Sequence, residues 1–426
     1  MPDNAEVDTK QSAAVEESKV LKAFKAEFAK LVKLKESPKQ LSDPLVSSIA
    51  YNKWVKIGIE LDKEIGTKQL LEQYGDLLKE ARGILKKTIP KASLFDRLST
   101  PIRLLIWCGV LFMACFQIIL VLPVAVPIEL VLKLIGSNRS LFNTLGYAFT
   151  RCTLAAMGIQ IHVDPKFVRS PPPSKQGVIV TYNHTANIDP FATFTGCPPI
   201  GPAAFLGKKT LFIVPVFGWA SLLVGNIPIN RSGKAKAHKM VTEASKQAIV
   251  VKRRSVVIAP EGTRSWDGHL SVPMKKGTFH IQRATKAHIV PVAVYGAFEL
   301  WPRGTLFTRT GELTIRHLEP LVYDESKTHD EVRWELQRRY LDALYPTTRA
   351  GVDSRPTFQK LSVIGALRWA VACIAECCVS VFLFVCMLTH SSMVSPQVPC
   401  CSCNVRPGIC VHNDVTPLIL PCGART

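Results

Sequence analysis

The sequence predicts an α/β protein: a mixed, mostly parallel sheet flanked by helices, with membrane-embedded helical segments before and after it. Three observations lead there. Residues 140–345 alternate short apolar runs with helical stretches, and such alternation builds a largely parallel sheet covered on its faces. Two long apolar runs, 104–128 and 369–389, bracket that region. The chain of 426 residues is 47% hydrophobic, with a mean hydropathy of +0.16 that leans toward a membrane protein.

The first twenty residues are polar and lack an apolar core, so a cleavable signal peptide is not expected. Val20, Phe24, Phe28 and Leu31 then fall on one helical face, with Lys22, Lys25, Lys30 and Lys33 around it. This basic amphipathic helix either packs on its own domain or lies on a membrane surface. A second helical pattern runs over 68–85. Residues 1–100 therefore form a basic, largely helical N-terminal region.

Residues 104–128 carry no charge. At about 1.5 Å per residue such a run is long enough to span a ~30 Å hydrocarbon core. Pro123 and Pro127 interrupt its far end. Two forms fit a membrane segment at 101–136: one spanning helix, or a helical pair that enters one leaflet and returns.

Within 140–345 the pattern predicts strands at 177–181, 226–229, 255–259 and 288–295. Helices are predicted at 208–224, 234–250 and 277–286. An edge strand at 311–316 and a closing helix at 330–344 complete the unit. In sheets of this kind, sites gather at the carboxyl ends of strands. The polar motifs fall at those ends.

The second apolar run, within a C-terminal transmembrane helix at 361–390, is broken only by Glu376. A centred acidic residue costs about 3 kcal/mol on insertion scales, which the flanking Val, Leu, Ile and Phe offset. Arg355, Lys360 and Arg368 precede it, so the positive-inside rule puts the preceding domain in the cytosol and the tail at 391–426 across the membrane. A hairpin returning the tail to the cytosol is the alternative. Four of the 13 cysteines (Cys108, Cys115, Cys152, Cys197) are scattered through the body, which reads as reduced. The rest crowd between Cys373 and Cys422, without the paired CxxC units of a zinc site. Disulfides suit a lumenal tail, and S-acylation suits cysteines beside a cytosolic leaflet.

The net charge is +20, from 53 Lys and Arg against 33 Asp and Glu. Nucleic acid, acidic lipid and phosphorylated substrates all satisfy that number. Neither a zinc finger nor an RRM signature accompanies it, so no nucleic-acid partner is expected.

Four blocks carry chemistry. In residues 183–190 (NHTANIDP), His184 directly follows a strand and Asp189 lies five residues on, across a turn. A carboxylate so placed can hold one imidazole nitrogen and leave the other to accept a proton. Alone, the pair reads equally well as helix caps. In 225–231 (GNIPINR), Gly225 permits a close approach and Arg231 offers a fork to phosphate or carboxylate. In 260–265 (PEGTRS), Glu261, Gly262, Thr263 and Arg264 sit where a strand becomes a loop able to hold an anion. Glu261 can accept from a substrate hydroxyl or brace Arg264. The fourth block begins with Lys275 and Lys276 at a helix start and runs on to the apolar strand 289–294 (IVPVAV), which supplies core and a wall for an acyl chain.

In this order and spacing, the set resembles the glycerophospholipid acyltransferase family, and within it the 1-acyl-sn-glycerol-3-phosphate acyltransferases. His184 and Asp189 match the family's NHxxxxD motif, 225–231 its GxIxIxR block, and 261–265 its EGTRS block. The stretches 208–218 and 300–304 are also similar. The resemblance covers about 180 residues, from near 140 to near 320. Thr210 and Asn230 depart from the Glu and Asp that many members carry there.

The resemblance implies transfer of an acyl group from acyl-CoA, a co-substrate and not a cofactor, to the sn-2 hydroxyl of lysophosphatidic acid. His184 and Asp189 would be catalytic. Gly225, Arg231, Glu261, Gly262, Thr263 and Arg264 would bind substrate, and Lys208, Lys209, Lys275 and Lys276 would meet coenzyme A or lipid head groups. No metal is implied. Another lysophospholipid or glycerol 3-phosphate as acceptor, a coenzyme A-free acyl exchange, and a non-catalytic lipid-binding scaffold are the alternatives. The expected setting is an anionic membrane surface, at the endoplasmic reticulum with the catalytic domain in the cytosol. Sequons at Asn183 and Asn230 lie inside the motif blocks, where a glycan would obstruct the site, in keeping with a cytosolic domain.

Overall fold

The computed structural model describes residues 18–356 except 88, 90, 135–140, 165–175, 198–201, 214–216, 231–234 and 306–307; a number of side chains inside described helices, notably those of 110–125, are also left undescribed. The expected C-terminal helix at 361–390 and the Cys-rich tail lie outside these residues, as does Arg231.

Seven strands form one sheet in the order β1 (Ile159–Val163), β7 (Gly311–His317), β6 (Ile289–Tyr295), β2 (Ile179–Tyr182), β5 (Ser255–Ile258), β3 (Ala203–Lys208), β4 (Ile227–Ile229). All neighbours pair in parallel except β6 with β7. Five strands therefore point their carboxyl ends to one edge, and β7 and β1 point the other way. The α/β expectation of a mixed, mostly parallel sheet flanked by helices is met.

The central strands β2 and β6 are buried at every position. That is what a sheet covered on both faces requires, and it explains their continuous apolar runs. Their side chains divide by the period of two. Ile179, Ala204, Val256, Ile289 and Ala293 enter one core. Val178, Val180, Tyr182, Val257, Val290, Val292 and Val294 enter the core on the opposite face. Pro291 is tolerated inside β6 because its missing N–H falls on the β7 side, where the regular ladder to β7 starts at Val292 and Pro291 still accepts the Leu318 N–H at 2.8 Å.

The second face is covered by α6 (Leu141–Ala156), α7 (Asp189–Gly196) and α11 (Ala297–Leu300). The first is covered by α9 (Ala235–Lys246), α10 (Gly277–Thr285), α12 (His329–Leu344) and the N-terminal helices. These last are α1 (Lys19–Lys35), the short α2 (Pro38–Leu41), α3 (Pro44–Ile65) and α4 (Thr67–Ile84). Phe24 is buried and stacks on Trp54 at 4.3 Å between ring centroids. The apolar stripe of the first helix is thus covered by protein, and the membrane-surface alternative for it falls. Asn52 donates to the Tyr345 carbonyl at 2.6 Å, and Arg333 of α12 pairs with Asp62 of α3 at 2.6 Å, both nearly sealed from solvent. A short α13 (Arg349–Ser354) follows, and α8 (Phe217–Leu223) lies between β3 and β4.

Several expectations need correction. The helix predicted over 208–224 begins as the end of a strand: β3 was hidden because Ala203–Lys208 (AAFLGK) has no β-branched residue, and helix returns only as a 3-10 turn at Lys209–Ile213 and as α8. The strand predicted at 311–316 is not at an edge, because β1 pairs outside it. The run 104–128 lies within α5 (Leu94–Leu134), whose backbone stays helical through Pro123 and Pro127. Among the described residues, no helix is long and apolar enough to cross a membrane.

The start of α5 is locked to the domain. Arg103 donates to the carbonyls of Met157 and Thr308, each at 3.0 Å, and Asp96 accepts the Thr310 N–H at 2.9 Å. On the other side of the same helix Leu94, Leu98, Ile102 and Leu105 are exposed at helical spacing.

Candidate active site

His184 stands two residues past the carboxyl end of β2, and the 261–265 block follows β5, the neighbouring strand. Sheet order thus brings together two motifs that lie 77 residues apart in sequence. Asp189 opens α7. Its side chain folds back so that Oδ2 lies 3.0 Å from His184 Nδ1. The same oxygen accepts the N–H groups of Thr185 at 2.6 Å and Ala186 at 2.7 Å. Asp189 is fully buried, while the His184 side chain keeps 15% exposure. A carboxylate only accepts, so Nδ1 carries the hydrogen and Nε2 is left with its lone pair. Tyr182 packs edge-on against the ring at 5.6 Å.

The main chain of His184 is held as firmly as its ring. Its N–H donates to Glu261 Oε1 at 2.6 Å, and its carbonyl accepts the Ser265 N–H at 2.8 Å. Glu261 is buried, and its other oxygen accepts the Ser271 N–H at 2.7 Å. Burial pushes the Glu261 carboxyl up to about 8, against the pull of these amides and of the Arg82 charge. Each Glu261 oxygen thus takes one backbone amide, and Glu261 fastens the loop after β5 to the turn that carries His184.

The remaining site residues are placed as follows. Gly262 takes φ +70, and a Cβ there would run into the aliphatic stem of Lys275 at 2.5 Å, so glycine is needed for the loop to close over that lysine. Thr263 is exposed and Arg264 half-buried in the same loop. Gly225 makes room for a side chain of the protein itself: its φ is +84, and a Cβ would sit 2.1 Å from the Arg254 guanidinium. Arg254 donates there to the carbonyls of Ala203, at 2.8 Å, and of Val224. Lys208 and Lys209 are exposed at the end of β3. Lys276 is ion-paired with Asp330 at 2.9 Å. The second block spans β4, three strands from β2, roughly 14 Å away at ~4.8 Å per strand. The sheet thus joins the first and third blocks and leaves the second at its edge.

Residues with no assigned part in the motif reading also shape the site. The Asn183 side chain closes a ring with Val294, donating to its carbonyl at 2.9 Å and accepting its N–H at 2.7 Å. This fixes the end of β2 to β6, and a sequon so engaged leaves no room for a glycan. The Ser265 hydroxyl donates to Asp267, which Arg82 of α4 grips through two nitrogens at 2.6 and 2.8 Å. An Asp-Gly pair just past the third block signals the turn at 267–268. Nothing local signals Arg82, which lies 185 residues from its partner.

A sheet-borne His–Asp pair, tied to a glycine-containing loop from the next strand, can accept a proton from a bound hydroxyl. The comparisons supply the class. The family model described as Acyltransferase matches residues 163–295. A 1-acyl-sn-glycerol-3-phosphate acyltransferase from Limnanthes alba is 31% identical over 241 residues, 56% of this chain and 82% of that protein. One of the same name from Limnanthes douglasii is 32% identical over 213 residues, 50% of this chain and 73% of that protein. The crystal structure of the 1-acyl-sn-glycerophosphate (LPA) acyltransferase PlsC from Thermotoga maritima is similar with a TM-score of 0.46 and 19% identity, over 58% of this chain and 98% of that one. The chain belongs to the glycerophospholipid acyltransferase family, alongside proteins named 1-acyl-sn-glycerol-3-phosphate acyltransferase.

Proposed function

We propose that the protein transfers an acyl group from acyl-CoA to the sn-2 hydroxyl of lysophosphatidic acid, giving phosphatidic acid, with His184 as general base. One observation carries the reading: a strand-end imidazole whose Nδ1 is held by buried Asp189 and whose Nε2 lone pair is open to a substrate proton. The names of the relatives point to the same acceptor. Nε2 removes the hydroxyl proton as the oxygen attacks the thioester carbonyl. The tetrahedral adduct expels the coenzyme A thiolate, which takes the proton back from the imidazolium. Asp189 stabilises that imidazolium. The chemistry calls for neither a metal nor a covalent acyl-enzyme. A positioned base contributes on the order of 10²- to 10⁴-fold.

In this reading Arg264 and the 262–263 backbone hold the acceptor phosphate, with Arg231 a second cation for an anionic group. Lys208, Lys209 and Lys275 face coenzyme A or lipid head groups. Membrane association, at the endoplasmic reticulum with this domain in the cytosol, belongs to the same proposal. Exposed Lys208 and Lys209 adjoin exposed Leu211, Ile213, Trp219 and Leu222 at the sheet edge that carries His184. That pairing of lysine with aromatic and aliphatic side chains suits an anionic leaflet, at about 1 kcal/mol per cation. The start of α5 presents a further exposed apolar face at Leu94, Leu98, Ile102 and Leu105.

The test is a turnover assay of the detergent-purified full chain. His184→Ala should abolish phosphatidic acid formation, and near-wild-type turnover would sink the mechanism. Arg264→Ala should chiefly raise the acceptor KM. A panel of other lysophospholipids, glycerol 3-phosphate and coenzyme A-free donors, read by product mass, decides the acceptor and donor. Preference for any of them over lysophosphatidic acid with acyl-CoA overturns that part of the proposal.

A further inference from the structure

We propose that Arg82, in the N-terminal helices and outside the stretch matched by the family model, is a positioning residue for His184. The inference rests on the reading of His184 as the base.

Two hydrogen-bonded routes lead from Arg82 to His184, and they end on the two backbone groups of that residue. On the first, Nε and Nη2 of Arg82 grip Asp267 at 2.6 and 2.8 Å. Asp267 accepts from the Ser265 hydroxyl, and the Ser265 N–H donates to the His184 carbonyl at 2.8 Å. On the second, Nη2 reaches the Ser271 hydroxyl at 3.3 Å. The Ser271 N–H donates to Glu261 Oε2 at 2.7 Å, and Glu261 Oε1 accepts the His184 N–H at 2.6 Å. The loop between β5 and α10 is thus a yoke on the His184 backbone, and the guanidinium sits across both of its arms.

The end of α4 is stitched to the same loop at two further points. The Lys87 N–H donates to the Asp267 carbonyl at 3.0 Å, and His269 Nε2 faces the Leu85 carbonyl. The N-terminal helices do not need Arg82 for attachment, because Asp62–Arg333 and Asn52–Tyr345 already fasten α3 to α12 and the residue beyond it. The Arg82 fork therefore sets loop geometry. Asp267 has a fully buried side chain, so an Asp267 without its fork would draw the loop toward other donors and carry the His184 peptide with it. A misplacement near 1 Å at a reacting group costs on the order of 10²-fold in rate.

The test uses the full-length purified enzyme with lysophosphatidic acid and acyl-CoA. Arg82→Lys keeps the cation and loses the fork. It should lower kcat between roughly tenfold and a hundredfold while both KM values stay within about twofold. Asp267→Asn should reproduce that pattern, and the double variant should be no slower than the worse single one. Asp62→Asn cuts a still more deeply buried ion pair that does not touch the loop. It should lower thermal stability yet leave kcat per folded molecule at the wild-type value. An Arg82→Lys enzyme with wild-type kcat beside an inactive His184→Ala overturns this inference alone. A kcat loss in Asp62→Asn equal to that in Arg82→Lys also overturns it, by reducing the effect to stability. Activity retained in His184→Ala overturns the base assignment itself.

Discussion

Acidification should weaken the fold through His269, and replacing that residue should remove part of the pH dependence. The ring is buried and stacks on Tyr51 at 4.4 Å between centroids. Nε2 faces the Leu85 carbonyl, which only accepts, so Nε2 bears the hydrogen. Nδ1 then accepts from the Tyr345 hydroxyl at 3.0 Å, whose oxygen takes the Leu270 N–H at 3.1 Å. The neutral ring is fully satisfied, and a second proton has no acceptor waiting. Burial, with the charges of Lys87 and Arg82, pushes the ring from 6.5 down to about 4, against the pull of Asp267 and the Leu85 carbonyl. Between those values the unfolded chain binds a proton that the folded one does not, so stability is present above about pH 6.5 and is lost as pH falls toward 4. The full gap is worth about 3 kcal/mol, of which about 2 kcal/mol is gone by pH 5. Glu261 works in the opposite sense. Its raised value of about 8 makes the folded state gain stability as pH falls through 8, an effect complete near the ordinary carboxyl value. The diagnostic quantity is therefore the difference between wild type and His269→Gln, not either slope alone. The assay is thermal unfolding of the detergent-solubilised protein at pH 7.5 and pH 5. At several degrees for each 2 kcal/mol, the variant should lose roughly 5 °C less than wild type over that interval. Equal losses in the two proteins would refute the buried neutral histidine.

Gly225→Ala forces a side chain into a left-handed conformation and against Arg254, which must give up its hold on the Ala203 and Val224 carbonyls. The cost should be about 3 kcal/mol, from ~1–2 of backbone strain and the lost charged hydrogen bonds, read as a lowered denaturation midpoint. Phe24→Ala should cost about 3–5 kcal/mol, because the ring is buried and stacked on Trp54; a loss below 1 kcal/mol would mean that the N-terminal helices are not part of the core.

Features legible in the sequence were those with a local signature. The buried runs at 255–258 and 289–295 read as strands because consecutive Val and Ile residues leave few other choices. His184 and Asp189 read as a pair because five residues across a turn suffice to bring them together. The weaker readings share a cause in length or distance. β3 has a Gly and two Ala and no β-branched residue, and its strand character comes from pairing with β5 and β4 rather than from its own residues. β7 looked like an edge because β1, its outer neighbour, lies about 150 residues away. A glycine at 225 signals a close approach by ligand or backbone, but not that the approaching group is the Arg254 guanidinium, 29 residues on. Glu261 stands out in its motif, yet it takes the backbone amides of His184 and Ser271, which no side-chain pattern reports.

Buried carboxylates are costly, and this site holds three of them: Asp189, Glu261 and Asp267. An apolar packing of the same volume would stabilise the fold more. What the carboxylates offer is an acceptor that binds several donors at once, and their partners are mostly main-chain N–H groups. Asp189 takes those of Thr185 and Ala186, Glu261 those of His184 and Ser271, and Asp267 that of His269 at 3.1 Å. Three successive amides, from His184 to Ala186, therefore end on carboxyl oxygens. The turn after β2 has no helix or sheet ladder to hold it, yet it carries the imidazole proposed as the base. Carboxylates from α7 and from the loop after β5 supply the missing ladder. The guanidinium of Arg82 balances the charge of Asp267 through a bidentate contact. The stability given up by burying acids is thus spent on the orientation of one side chain, and the N-terminal helices enter the active site through that charge balance, without touching the base.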